Sequence, residues 1–103
     1  MARPSHSSRQ AVALLGALLV QPTSWRHGYD LSQETGLKSG TLYPLLMRLE
    51  DDGLLESEWH QPVPPARAPR HAYRLTSRGR AFAHALLAKV TEGARLIPEA
   101  ITS

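Results

Sequence analysis

The chain has 103 residues, a formal net charge of +3 and no cysteine. That length supports about one domain with a small core, which a partner chain would help to stabilise. The missing thiols exclude a disulfide framework and thiolate metal sites, and they fit a reducing, cytoplasmic setting.

Residues 1–6 are expected to fray. Ser7 or Ser8 then caps a first helix to about Val20, and Pro22 follows as a stop. The apolar run Ala11–Val20 follows Arg3 and Arg9, as a signal peptide would. It is too short for a bilayer, which needs about 20 residues. No small-x-small cleavage site comes after Val20. A buried first helix and no membrane contact are expected. A short second helix runs from Ser24, as its cap, to about Thr35, with Gly36 as the break.

Ser39 is placed to cap a third helix over about 40–52, which Gly53 ends. Leu42, Leu45, Leu46 and Leu49 recur at i, i+3, i+4 and i+7, one apolar stripe. The opposite face carries Gly40, Tyr43, Pro44, Met47 and Arg48, an odd surface for a helix that only meets water. Pro44 falls within or just after the first turn, where the N–H groups are largely unpaired anyway.

Leu54–His60 reads as a strand. Residues 61–69 contain Pro62, Pro64, Pro65 and Pro69, so they form no regular element interior. Arg70–Leu75 returns as the second strand of a two-stranded hairpin with a long, stiff tip. Thr76 caps a last helix from about Ser77. Phe82, Leu86, Leu87, Val90, Ala94, Ile97 and Ile101 keep roughly helical spacing along it, and Pro98 ends or kinks it. The expected fold is mainly α with a small β-hairpin: a winged helix-turn-helix of order α-α-α-β-wing-β-α. Residues 1–76 would form the DNA-binding unit and 77–103 a dimerisation helix, in one compact domain overall.

Charge distribution narrows the function. None of the nine acids precedes Asp30, and none lies between Trp59 and Thr91. That second gap holds Arg67, Arg70, Arg74, Arg78, Arg80 and Lys89. Such a run points to a polyanion partner, because each cation neutralises a phosphate and releases a counterion. The competing reading is a merely solvated surface. The third helix has no acid in its first two turns, while Glu50, Asp51 and Asp52 crowd its far end. That polarity suits a helix that meets DNA by its N-terminal end.

The candidate DNA contacts follow. Lys38 and Ser39 stand at the helix start, Gly40 allows close backbone approach, and Thr41 offers a hydroxyl or methyl to a base edge. Tyr43 would give its hydroxyl to a phosphate with its ring on the scaffold. Arg48 contacts DNA or pairs with Asp51 or Asp52. Arg67 and Arg70 flank the wing prolines and would reach a minor groove or its phosphates. Arg74 and Arg78 would support the backbone nearby. Trp25 and Trp59 are expected in core or interface. Phe82, Leu86, Val90, Ala94 and Ile97 form the expected dimer seam, and the first three would line an effector pocket if one exists. No HxxxH pair and no Cys/His cluster occurs, so no metal is expected, although His60 and His71 would approach across the hairpin. Nothing resembles a nucleophile elbow, so neither catalysis nor a cofactor is expected.

Three stretches carry a family likeness: HGYDL from His27, GTLYPLLMRLEDDGLL from Gly40 and PRHAYRLTSRG from Pro69. In order and spacing, over about residues 10–82, the chain resembles the PadR family of bacterial transcriptional regulators. It looks like the compact subgroup with one C-terminal dimerisation helix. The resemblance implies a homodimeric, DNA-binding repressor, often relieved by a small molecule. Two features depart from it. Ala68 stands where the family's wing usually has glycine before the Pro-Arg pair. The last helix offers Phe82 as its one aromatic, where some compact members stack drugs on tryptophan. The expected function is thus a repressor of double-stranded DNA that reads an inverted repeat. The alternative is a winged-helix protein-interaction module.

Overall fold

The computed structural model describes residues 8–61 and 68–96. The elements are α1 (Arg9–Val20), β1 (Arg26–His27), α2 (Gly28–Thr35), α3 (Ser39–Asp51), β2 (Leu55–His60), β3 (Arg70–Leu75) and α4 (Ser77–Leu96). The three strands form one antiparallel sheet of order β1-β3-β2. This is the winged helix-turn-helix layout, with one strand more than the expected hairpin.

Helix α1 begins where Ser8 Oγ accepts the Ala11 N–H at 3.1 Å. It buries Ala11, Leu14, Leu15 and Leu18. The second helix departs from expectation. Ser24 caps nothing; Arg26 and His27 are extended and pair with Tyr73 and Ala72, and α2 starts only at Gly28. Ladder hydrogen bonds to β3 compete with the helix there and win. Arg26 is itself buried. It donates to the Ala17 carbonyl at 2.9 Å and pairs with Glu34, so the strand is tied to α1 and α2.

The turn between α2 and α3 is held by local hydrogen bonds. Gly36 adopts φ 77°, a left-handed conformation that costs a side chain-bearing residue dearly, and returns its N–H to the Ser32 carbonyl. Ser32 Oγ donates to the Leu37 carbonyl at 2.7 Å, and Thr35 Oγ1 accepts the Leu37 N–H at 3.1 Å. These bonds set how α3 leaves the body.

Lys38, not Ser39, is the N-cap of α3: its backbone is extended and its carbonyl accepts from Thr41 and Leu42 at 2.9 and 2.8 Å. Ser39 is the first helical residue. Leu42, Leu46 and Leu49 are fully buried and Leu45 is 7% exposed. Each such leucine contributes about 1.5–3 kcal/mol relative to exposure. They join the core formed by the α1 leucines, Leu31, Leu54, Leu55, Tyr73, Leu75 and Ala83. Thr76 then locks the last helix: its Oγ1 accepts the Gly79 N–H at 2.9 Å and donates to the Gly53 carbonyl at 2.8 Å. Phe82 and Leu86 are half-buried against the same core. No helix among the described residues is long and apolar enough to cross a membrane.

Candidate nucleic-acid interface

With its leucines turned inward, α3 presents a continuous outer face. Lys38, Ser39, Gly40, Thr41, Pro44, Met47 and Arg48 are all exposed, and Tyr43 is 39% exposed. No acid stands in the first turn of α3. The free N–H groups there and the helix dipole favour an anion. Pro44, inside α3, has no N–H to return to the Gly40 carbonyl. Gly40, Thr41, Pro44 and Arg48 share a shallow hollow with Ser8 and Gln10 of the α1 start. The sequence-predicted contacts Lys38, Ser39, Gly40, Thr41 and Arg48 therefore lie along one face.

Tyr43 is set apart from them. Its hydroxyl lies against Gly28, so close that a Cβ there would overlap the phenol. The phenol thus leans back on the first residue of α2 with its hydroxyl turned to the scaffold, where the sequence had offered that hydroxyl to a phosphate, and part of its surface stays open. Arg70 begins β3, is exposed, and lies across a cleft from Tyr43. Arg67 lies outside the described residues, as does Ile97, and the Ala94 side chain belongs with them. Val90 is 45% exposed on α4.

The sheet side of this surface contains groups the sequence did not assemble. Trp59 is no core residue: it is 65% exposed and stacks flat on His71, with ring centroids 4.3 Å apart and planes 5° from parallel. In register His71 faces Trp59, and His60 faces Arg70. The expected approach of His60 to His71 is replaced by a His60–His27 contact, Nε2 of His27 to Nδ1 of His60 at 3.3 Å. Strand β1 makes that contact, and a two-residue strand leaves no periodic signal in a sequence. Burial lowers the His27 pKa below 6.5, helped by Arg70 and His60 and opposed by Asp30. Tyr73 is buried, and its hydroxyl lies 3.0 Å from His71 Nδ1. Burial, then Tyr43 and Glu50, raises its pKa above 10. Arg74 pairs with Glu56 at 2.8 Å and lies 4.3 Å over the Trp25 ring. Among the described residues no group of three or more His, Asp or Glu could hold a metal ion.

Known proteins are similar to this chain in sequence and fold. The model of the transcriptional regulator PadR-like family matches residues 15–85. Transcriptional regulator Rv3488 of Mycobacterium tuberculosis is 54% identical over 66 residues, 64% of this chain and 52% of that protein. The chain therefore spans about half the length of this curated relative. A PadR-like transcription factor from Bacteroides fragilis has a similar structure, with TM-score 0.69 and 30% identity over 86% of this chain and 89% of that one. A PadR family transcription regulator from Clostridium difficile shares the fold, with TM-score 0.69 and 21% identity over 84% of this chain and 93% of that one.

Proposed function

The chain belongs to the PadR-like family of transcriptional regulators, and from that premise we propose a homodimeric cytoplasmic repressor that reads an inverted repeat with α3 and the wing. The observation that supports it most is the exposed, acid-free N-terminal half of α3, mounted on buried leucines. Lys38 and the free N–H groups take phosphate, Thr41 meets a base edge, and Tyr43 and Arg48 fix the register. Arg67 and Arg70 bring the wing to the adjacent backbone. The α4 helices pair two copies through Phe82, Leu86, Val90 and Ala94, and Ile97 continues the same stripe in the sequence. Phe82 and Leu86 also pack on their own core, so Val90 is the most open described member of that stripe. A small-molecule effector would release DNA only by preferring the dimer form that cannot bind it.

Selection of bound fragments from random DNA tests this reading. It is expected to recover an inverted repeat with half-sites one helical turn, about 34 Å, apart. Recovery of no sequence at low salt would favour a winged-helix module for protein partners, whose surface would be the exposed Tyr29, Met47 and Trp59.

A further inference from the structure

Two histidines from opposite edges of the sheet meet above its middle strand. His27 on β1 and Glu58 on β2 both face Ala72 of β3 in register, and one step along, His60 faces Arg70. Paired residues share a face, so these side chains lie on one side of the sheet. Ala72 is fully buried, and its small side chain leaves room for the imidazoles to meet across it. Nε2 of His27 lies 3.3 Å from Nδ1 of His60. His60 ends β2 and Arg70 starts β3, so their rung is the last before the wing. The contact ties the base of the wing to β1 and the start of α2.

The chain of contacts runs on at both ends. His60 Nε2 lies 2.8 Å from Glu58 Oε2, and His27 Nδ1 lies 3.9 Å from Asp30 Oδ2. A carboxylate accepts, so His60 Nε2 carries the hydrogen and Nδ1 of the neutral ring accepts. His27 Nε2–H then donates to it, and His27 Nδ1 is bare. One more proton fits without loss of a bond. His60 Nδ1 gains a hydrogen and donates it to His27 Nε2. His27 gives up its Nε2 proton and takes one on Nδ1, toward Asp30, so the net uptake is one. The neutral contact becomes a charge-assisted one, roughly twice as strong. A further proton would leave two donors facing each other.

The neighbouring charges decide where the added charge sits. Arg70 and Arg74 share this face from β3, Glu56 and Glu58 from β2, and Asp30 approaches from α2. Arg74 is paired with Glu56 at 2.8 Å. Burial, then Arg70 and His60, disfavour the charged form of His27 against the pull of Asp30. The added charge therefore belongs on His60, against Glu58.

We propose that Asp30, His27, His60 and Glu58 form a proton-linked latch at the wing base, which takes up one proton as the wing meets DNA, so that affinity rises as pH falls from about 8 to about 6. The uptake puts a cation beside Arg70, where the proposed function brings phosphate, and it tightens the tie to β1. The linkage to DNA rests on that reading; the single-proton chain does not.

The test uses the full chain with nitrogen-15 in its histidines. Ring nitrogen shifts distinguish the two neutral tautomers from the charged ring. Over one pH range, His60 is expected to gain charge while His27 stays neutral and exchanges its Nε2 hydrogen for an Nδ1 hydrogen. His60→Gln should abolish that exchange at His27. Two rings that titrate independently, with His27 keeping its tautomer, would overturn the chain. Fluorescence anisotropy with the selected DNA then covers the same range. Affinity should rise about threefold, the scale of one exposed ion pair, and the rise should shrink in His60→Gln. An affinity that stays flat or falls in acid, or an equal rise in His60→Gln, would overturn the linkage. If no DNA sequence is selected, the linkage falls with the DNA reading, and the ring titration still decides the chain.

Discussion

The phenol of Tyr43 rests on the α-carbon of Gly28, and no side chain larger than hydrogen fits between them. This contact joins the start of α2 to the outward face of α3. It makes Gly28 a positioning residue for the proposed DNA contact. Gly28→Ala is expected to destabilise the fold by about 1–3 kcal/mol, as overpacking does. Tyr43→Ala in the same chain should restore much of that loss. A double-mutant cycle by urea unfolding checks it, and additive effects would place the strain elsewhere.

The leucine stripe carries α3, so its loss should precede any loss of recognition. Leu46 is fully buried. Leu46→Ala is expected to cost about 2–5 kcal/mol, the range for truncating a core leucine. Chemical denaturation measures it directly.

Lys38 caps α3 with a cation at the positive pole of the helix dipole. A phosphate partner offsets that repulsion. Lys38→Ala should weaken binding to all DNA sequences alike and reduce the slope of log K against log salt by about 1. Fluorescence anisotropy over a salt series provides both values. An unchanged slope would remove Lys38 from the contact set.

His27 contributes a pH dependence of definite sign. Its pKa is lowered in the folded chain by burial first, then by Arg70 and His60. Between that lowered pKa and 6.5 the unfolded chain binds more protons than the folded one. Stability should therefore fall as pH drops through 6.5, with the loss complete below the folded pKa. His27→Gln should flatten this part of the profile relative to the parent. Urea midpoints measured from pH 7.5 to 5 compare the two.

The proposed dimer seam has one open position among the described residues. Val90 is 45% exposed, whereas Phe82 and Leu86 also serve their own core. Val90→Asp should shift sedimentation toward monomer with little change in helix content. An unchanged sedimentation profile would move the seam off this stripe.

Much of this architecture was legible in the sequence because it is periodic and punctuated. The α3 leucines, the Ser8 and Thr76 caps and the glycine turns each impose a local preference that the tertiary structure keeps. What could not be read is what arises only in three dimensions. Strand β1 has two residues and owes its existence to β3. The cap of α3 fell to Lys38 because an extended backbone, not a side-chain oxygen, sets the boundary there. Arg26 is buried because the Ala17 carbonyl and Glu34 receive it, and neither is near it in sequence. The cleft between Tyr43 and Arg70 draws on α2, α3 and both longer strands, so no single window of sequence contains it.

The central claim is that the outward N-terminal half of α3 reads bases, and Thr41 is its most direct probe. Repeating the random-DNA selection with Thr41→Ala measures this. The recovered motif should keep its spacing and symmetry while one symmetry-related pair of positions loses its preference, at a cost of about 1–3 kcal/mol per contact. A motif identical to the parent's would mean that this face of α3 does not carry the recognition.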